Sequence, residues 1–307
     1  MYAGGVERIE TDFESAGTRC AAWLFLPGAA ARPRAAGDRP PIVVMAHGFG
    51  AQREMRLPQF AERFASRGLA VLIFDYRCFG ESDGEPRNLI DPRRHLADYR
   101  AAIEHVRASP DLDAGRLALW GTSFSGAHVL AAGAQTTGIS AIVSQIPFVG
   151  FDRRRASMPL GKLARALFSG LRDLSRAARG APPYYVPIAG PPEEFALLNT
   201  PDVMDAFRDL VPPDSTWENR APARVLFQML RYQPLREAAK IEAPVLMVAA
   251  EEDSLIPIAS VEAASKRIPD CELVILPGTG HFEPYAGEVF ERVVELEADF
   301  LCKHLLG

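Results

Sequence analysis

Cysteine is scarce in this chain. There are four in 307 residues, Cys20, Cys78, Cys271 and Cys302, and none forms a CxxC pair. That spacing offers neither a zinc site nor a dithiol redox motif. Free thiols in a reducing compartment are the simplest expectation. Long apolar runs are missing as well: no uninterrupted stretch is long enough to span a bilayer, and no charged-then-apolar leader opens the chain. A cytoplasmic protein with no membrane partner is expected. Clustered basic charge is sparse. Lys and Arg number 34 against 39 Asp and Glu, a formal net charge of -5, so the electrostatic footprint of a nucleic-acid binder is absent. The short run Asp152-Arg153-Arg154-Arg155 reads as a solvated turn at a domain edge. Gly48-x-Gly50 lacks the third glycine of a dinucleotide fingerprint. His47 has no partner at metal-ligand spacing. No cofactor and no metal are expected, and no internal repeat is visible.

What is present is an alternation of buried strands and helices. Hydrophobic residues make up 48% of the chain and charged residues 24%, enough for one large core or two domains. Two strands are predicted near Glu7–Phe13 and Thr18–Phe25, with a turn at Ala16-Gly17. A Pro/Ala/Arg-rich loop follows, at about Gly28–Pro40. Pro41–Ala46 and Ala70–Phe74 are continuous apolar runs, suited to strands covered on both faces. Met55–Arg67 has helical periodicity and stops at Gly68. Asp91-Pro92 opens a long helix toward Ser109 with a capping residue and a first-turn proline. Arg116–Trp120 reads as a strand, Phe124–Ala132 as a helix and Ala141–Gln145 as a strand. Strands resume at Pro244–Ala249 and Glu272–Leu276, and a helix from about Tyr285 to Leu305 closes the chain. This is the pattern of a mostly parallel, doubly wound α/β sheet. The alternation breaks after Pro147. Roughly ninety residues, 148–239, carry helical patterns and Pro-rich breaks but no convincing buried strand, which reads as an inserted helical lid. Residues 1–147 and 240–307 would then form the core.

Chemistry concentrates around Ser123. Gly121-Thr122-Ser123-Phe124-Ser125-Gly126 lies between a strand and a helix. A strained strand–turn–helix arrangement holds a serine hydroxyl clear of a sheet only when the flanking side chains are small. Gly121 and Ser125 meet that need, and Gly126 gives room for close helix packing. Two roles are open to the Ser125 hydroxyl: bonding the turn backbone, or being merely small. A serine nucleophile needs a base and a group that orients the base. His281, after the turn-forming run Pro277-Gly278-Thr279-Gly280, is the candidate base. Three carboxylates follow the preceding strand, Glu251, Glu252 and Asp253, and Asp253 is favoured because it lies in the turn itself. The order Ser, acid, His is the one found in hydrolases built on such a sheet. Backbone N–H groups of Phe49, with Gly50 behind it, and of Phe124 are the candidate oxyanion donors. His47 reads as structural. His95 and His105 are expected to face solvent or helix neighbours, His128 to be packed, and His304 to lie at a fraying end.

These stretches resemble the α/β-hydrolase superfamily over roughly Glu7–Pro147 and Ile241–Gly307. Within it, several motifs are similar to the polyketide-transferase-type and dienelactone-hydrolase-like proteins. They are His47-Gly-Phe-Gly50, Glu54-Met-Arg-Leu-Pro58, the run Asp75–Asn88, Ile90-Asp-Pro92 and Trp120-Gly-Thr-Ser-Phe-Ser-Gly126. The late glycine of the elbow is a variant of that subgroup. The resemblance implies acyl chemistry at Ser123, with Asp253 and His281 completing a triad. Ser123 stands where dienelactone hydrolases proper have a cysteine. Members of the subgroup include esterases, thioester hydrolases and acyl transferases.

The expected activity is therefore a serine hydrolase cleaving carboxylic esters of small to medium, mainly apolar acyl groups. The alternative is an acyltransferase or thioesterase acting on polyketide-like chains. The partner is a small-molecule ester, with neither nucleic acid nor membrane, on a monomer or homodimer. Phe148, Phe151, Tyr184, Tyr185, Phe195 and Trp217 are candidates for the apolar wall of a pocket under the lid.

Overall fold

The computed structural model describes residues 5–29, 31, 39–150 and 160–307. Phe151 and the Asp152–Arg155 run lie outside the described residues. The chain opens with a hairpin of β1 (Glu7–Ser15) and β2 (Thr18–Leu26). Its two turn residues, Ala16 and Gly17, both have positive φ (47° and 76°). That is what a two-residue turn needs to match the twist of its strands.

Six parallel strands follow: β3 (Pro41–Ala46), β4 (Ala70–Phe74), β5 (Asp113–Thr122), β6 (Ala141–Gln145), β9 (Val245–Ala250) and β10 (Cys271–Leu276). With the hairpin they make one eight-stranded sheet in the order β1-β2-β4-β3-β5-β6-β9-β10. Every residue of β3, β4, β6 and β9 is buried, because helices cover both faces. Alternate residues serve opposite layers. Ile42, Val44 and Ala46 pack with α2 (Pro92–Ala108) and α3 (Phe124–Gly133). Val43 and Met45 pack with α1 (Leu57–Ser66) and α8 (Gly287–Leu305). Asp91 caps α2 as its sequence implies, accepting a hydrogen bond from Arg93 N at 2.9 Å. The doubly wound, eight-stranded architecture expected from the sequence is the one observed.

Between β6 and β9, which are neighbours in the sheet, the chain makes a long excursion. It carries α4 (Leu160–Ala178), α5 (Val203–Leu210), α6 (Val225–Arg231) and a 3-10 stretch, Pro234–Lys240. A two-stranded ribbon, β7 (Tyr185–Val186) with β8 (Ala221–Pro222), also lies here. The sequence shows no strand in this segment because two-residue strands are too short to have a period. Asp173 ties the segment together. Its buried carboxylate accepts from Tyr184 N at 2.8 Å, from Arg224 N at 2.9 Å and from the Arg224 guanidinium at 2.6 and 3.1 Å. Some boundaries differ from expectation. β5 starts at Asp113, and α8 follows a 3-10 turn at Glu283–Tyr285. A further helix, α7 (Ile258–Ser265), was not apparent in the sequence.

The core also holds the carboxylate of Glu297. Glu297 on α8 is fully buried and accepts a 2.8 Å hydrogen bond from the Trp120 indole N–H, while its second oxygen lacks a hydrogen-bond partner. Burial pushes its carboxyl up to about 8. The folded state therefore holds a proton that the unfolded chain releases near the ordinary carboxyl range. Stability is fully present below that range and is lost as pH rises through about 8. We expect Tm to fall between pH 6 and pH 9 in the wild type, and to fall markedly less in Glu297→Gln. Melting curves at the two pH values check this; equal falls in both proteins would contradict it.

Candidate active site

The site is built where β5 ends. Ser123 has φ 55° and ψ −113°, a left-handed backbone that costs a non-glycine residue free energy. Its neighbours enforce the turn. A Cβ on Gly121 would lie 2.3 Å from the Ser125 carbonyl oxygen, and one on Gly126 would lie 3.0 Å from Pro147. Only glycine fits at residue 121 without a shift of backbone. The Ser125 hydroxyl has a definite job: it accepts from Thr122 N at 3.0 Å and donates to Ala46 O at 2.6 Å. It thereby ties the elbow to the end of β3, where the His47-Gly-Phe loop begins. Ser123 N donates to Gln145 O at 2.8 Å, and Phe148 N donates to Ser123 O at 2.9 Å.

Long loops after β9 and β10 bring two more side chains to this point. His281 Nε2 lies 3.0 Å from Ser123 Oγ, and His281 Nδ1 lies 2.7 Å from Asp253 Oδ2. The side chains of His281 and Asp253 are each 2% exposed. Asp253 Oδ1 accepts from Leu255 N at 2.8 Å and Ile256 N at 2.7 Å, which fixes the carboxylate. The competing acids are turned outward. Glu251 and Glu252 are exposed. They steady the histidine loop, Glu251 Oε2 accepting from Gly278 N at 2.9 Å and Glu252 N donating to Thr279 O at 2.9 Å.

The candidate oxyanion donors lie beside the serine. Phe124 is the first residue of α3, so its N–H is one that the helix leaves without an internal partner. Gly48 packs against the elbow: a Cβ there would sit 3.2 Å from Thr122 O and 3.4 Å from Ser123 Cβ. The following Phe49 ring meets Phe124 edge-on at 5.3 Å. His47 is buried, with Nδ1 3.0 Å from Gly48 O, and burial lowers its pKa. That arrangement suits a neutral ring that props the loop.

Around Ser123 the cavity is lined by Met55, Leu57, Leu198, Phe207, Leu255 and Phe282, among others. Of the aromatic wall expected from sequence, Trp217 donates to Gly50 O at 2.7 Å and packs on the lining residue Phe207. Phe148 packs against Phe124 at 5.7 Å. Tyr184 lies under Arg172, Tyr185 under Arg220 and Phe195 under Arg165. None of these five aromatics is among the side chains lining the cavity. Leu198, Phe207 and Leu210 come from the excursion, and no short-range signal marks them as site residues. Thr122, Gln145 and Tyr285 form another unforeseen group. Thr122 Oγ1 lies 2.6 Å from Tyr285 Oη and accepts from Gln145 Nε2 at 2.9 Å.

Of the two expectations for His95, solvent or helix neighbours, the fold takes the second, against His128 of α3. His95 is 2% exposed, stacks on Tyr76 with ring centroids 4.0 Å apart, and places Nδ1 3.2 Å from His128 Nε2. The other nitrogen of His128 lies 2.6 Å from Tyr232 Oη. Burial brings His128 down to about 3. With both nitrogens occupied and its ring against Phe124 at 4.5 Å, His128 supports the elbow helix. Among the described residues, no group of three His, Cys, Asp or Glu side chains converges as a metal site.

The sequence profile described as serine aminopeptidase, S33, matches residues 38–282. The chain belongs to this α/β-hydrolase family. It is 39% identical over 294 residues to the quorum-quenching protein AidA of Acinetobacter baumannii (strain MDR-ZJ06), covering 95% of this chain and 94% of that one. It is 30% identical over 271 residues to the polyketide transferase af380 of Aspergillus fumigatus, covering 87% and 91%. The crystal structure of the α/β-hydrolase GrgF from Penicillium sp. sh18 superposes with a TM-score of 0.83 at 26% identity, covering 98% of this chain and all of that one. Likeness to these proteins runs across nearly the full length, including the excursion.

The Ser125 bonds yield a direct test. Ser125→Ala and Ser125→Gly both remove the acceptor for Thr122 N–H and the donor to Ala46 O. Each should destabilise the fold by about 1–3 kcal/mol, although the glycine variant restores the common five-residue elbow motif. Urea denaturation measures this; a glycine variant as stable as wild type would refute the structural role of the hydroxyl.

Proposed function

We propose that this S33-family hydrolase cleaves carboxylic esters of small to medium, mainly apolar acyl groups through Ser123, His281 and Asp253. The observation that carries this reading is the imidazole of His281, which reaches Ser123 Oγ at 3.0 Å and Asp253 at 2.7 Å at the same time. His281 Nε2 takes the Ser123 proton as Oγ attacks the ester carbonyl carbon. The oxyanion that forms is held by the N–H groups of Phe49 and Phe124. Collapse breaks the carbon–oxygen bond to the alcohol, which leaves with the proton from His281. Water then attacks the acyl-enzyme, giving its proton to His281. The acid departs as that proton returns to Ser123. Asp253 holds the Nδ1–H tautomer and stabilises the imidazolium. Residues 148–239 act as the lid, and Leu198, Phe207 and Leu210 from it supply the apolar surface for the acyl group.

A second reading, acyl transfer to an alcohol or thiol in place of water, is supported by the similarity to a polyketide transferase. It uses the same acyl-enzyme and differs only in the acceptor.

A fluorophosphonate probe should label the wild type and not Ser123→Ala. Asp253→Asn, which leaves the ring in place but favours the wrong tautomer, should lower kcat on p-nitrophenyl esters by roughly 10⁴-fold. Failure of the native protein to label would remove the serine-hydrolase reading. Running the ester panel with alcohol and thiol acceptors separates the two readings: ester or thioester products in place of free acid would favour transfer.

A further inference from the structure

The loop that carries His281 is held unevenly. It leaves β10, the last strand at that edge of the sheet, through Pro277-Gly278-Thr279-Gly280. On this side its side-chain ties lie at the surface. Gly278 N donates to Glu251 Oε2 at 2.9 Å and Gly280 N to Glu283 Oε2 at 3.2 Å, and both glutamates are exposed. A Cβ on Gly278 or on Gly280 would meet nothing within 4 Å. Water competes for bonds placed there, and the open space lets the chain shift. Asp253 fixes the imidazole at Nδ1. That is one corner of the ring, and Nε2 can swing about it as the loop moves.

The other side of the loop is anchored inside the protein. Four residues after His281, Tyr285 ends the 3-10 turn, and both Pro284 and Tyr285 are buried. The Tyr285 side chain belongs to the same core layer as Trp120 and Val294. Its hydroxyl lies 2.6 Å from Thr122 Oγ1, and Thr122 immediately precedes the nucleophile. Thr122 is itself pinned by β6. Its Oγ1 accepts from Gln145 Nε2 at 2.9 Å, while Gln145 O accepts from Ser123 N at 2.8 Å. Burial pushes the Tyr285 phenol up, so it stays protonated and the bond stays neutral. The contacts close a ring. It runs from His281 along the chain to Tyr285, across to Thr122, on to Ser123, and back over 3.0 Å to His281 Nε2. Neither the phenol nor the threonine hydroxyl takes part in the steps at Ser123.

We propose that Tyr285 is a positioning residue for the reaction at Ser123. Its hydrogen bond to Thr122 clamps the loop of the base to the elbow of the nucleophile and holds His281 Nε2 at its working distance from Ser123 Oγ. The inference rests on the reading of Ser123, Asp253 and His281 as the triad, and adds the group that sets the spacing between two of its members.

Two isosteric variants cut the bond from either end, so a folding defect in one leaves the other to decide. Tyr285→Phe and Thr122→Val should each lower kcat on p-nitrophenyl esters by roughly 10–100-fold, since displacing a catalytic group by about 1 Å can cost as much as 10². KM should hold, because the ring and the methyl group stay in place. Fluorophosphonate labelling should slow in step with kcat. The double variant should lose no more than either single one, since both remove the same bond. Thr122→Ser, which keeps the hydroxyl, should label near the wild-type rate. In a His281→Ala background, Tyr285→Phe should leave the residual activity unchanged, because the phenol acts only through the imidazole. Tyr285→Phe with a lowered Tm but wild-type kcat would overturn the proposal. So would Thr122→Ser as slow as Thr122→Val, or a further loss of the same size in the His281→Ala background. Labelling of Ser123→Ala as fast as the wild type removes the triad reading itself. An unlabelled Ser123→Ala beside a Tyr285→Phe that labels at the wild-type rate removes this inference alone.

Discussion

The site depends on one strained residue. Ser123 is held at a positive φ between a parallel strand and a helix, and every other group is placed relative to that bend. The strain persists because the surroundings leave no alternative. Gly121 admits the Ser125 carbonyl where any side chain would collide, Gly126 admits Pro147, and the Ser125 hydroxyl bridges the elbow to β3. The same bridge sets the distance between the elbow and the loop carrying Phe49. Geometry at the nucleophile and at the candidate oxyanion donors is therefore one constraint.

Parallel strand order explains why distant residues meet. β5, β6, β9 and β10 are successive neighbours and run the same way, so their following loops emerge at one edge of the sheet. Ser123, Asp253 and His281 follow β5, β9 and β10 in turn. The core beneath is covered on both faces, which gives the loops a rigid base. It also traps Glu297 against Trp120, three residues before the nucleophile. The excursion between β6 and β9 adds apolar surface beside the serine and, through Tyr232 and His128, fastens itself to the elbow helix.

That excursion carries two opposite demands. Most of its inner side packs through large apolar residues such as Ile188, Val203 and Val225, but α4 packs through small residues and one fully satisfied carboxylate, Asp173. Its outer side, along α4, keeps large apolar groups in solvent. A packing requirement alone would have placed the leucines inward, where burial stabilises most. Their outward arrangement is the feature of the fold that its internal energetics leave unexplained.

The eight strands of the main sheet, the long helices and the loops that bring Ser123, Asp253 and His281 together were legible in the chain, because period-two and period-3.6 patterns and turn chemistry are local. Of the three adjacent carboxylates, the favoured Asp253 is the one that meets His281, and it lies just past the turn formed by Glu251 and Glu252. Tertiary structure alone decided the rest. It gave the Ser125 hydroxyl its two partners, buried His95 against Tyr76 and His128, and put Leu198 and Phe207 at the cavity in place of Tyr184 and Tyr185. Apart from Thr122, three residues before Ser125, the partners lie far along the chain. Periodicity reports which face of an element is apolar. It does not report what that face meets, and for α4 the apolar face meets solvent.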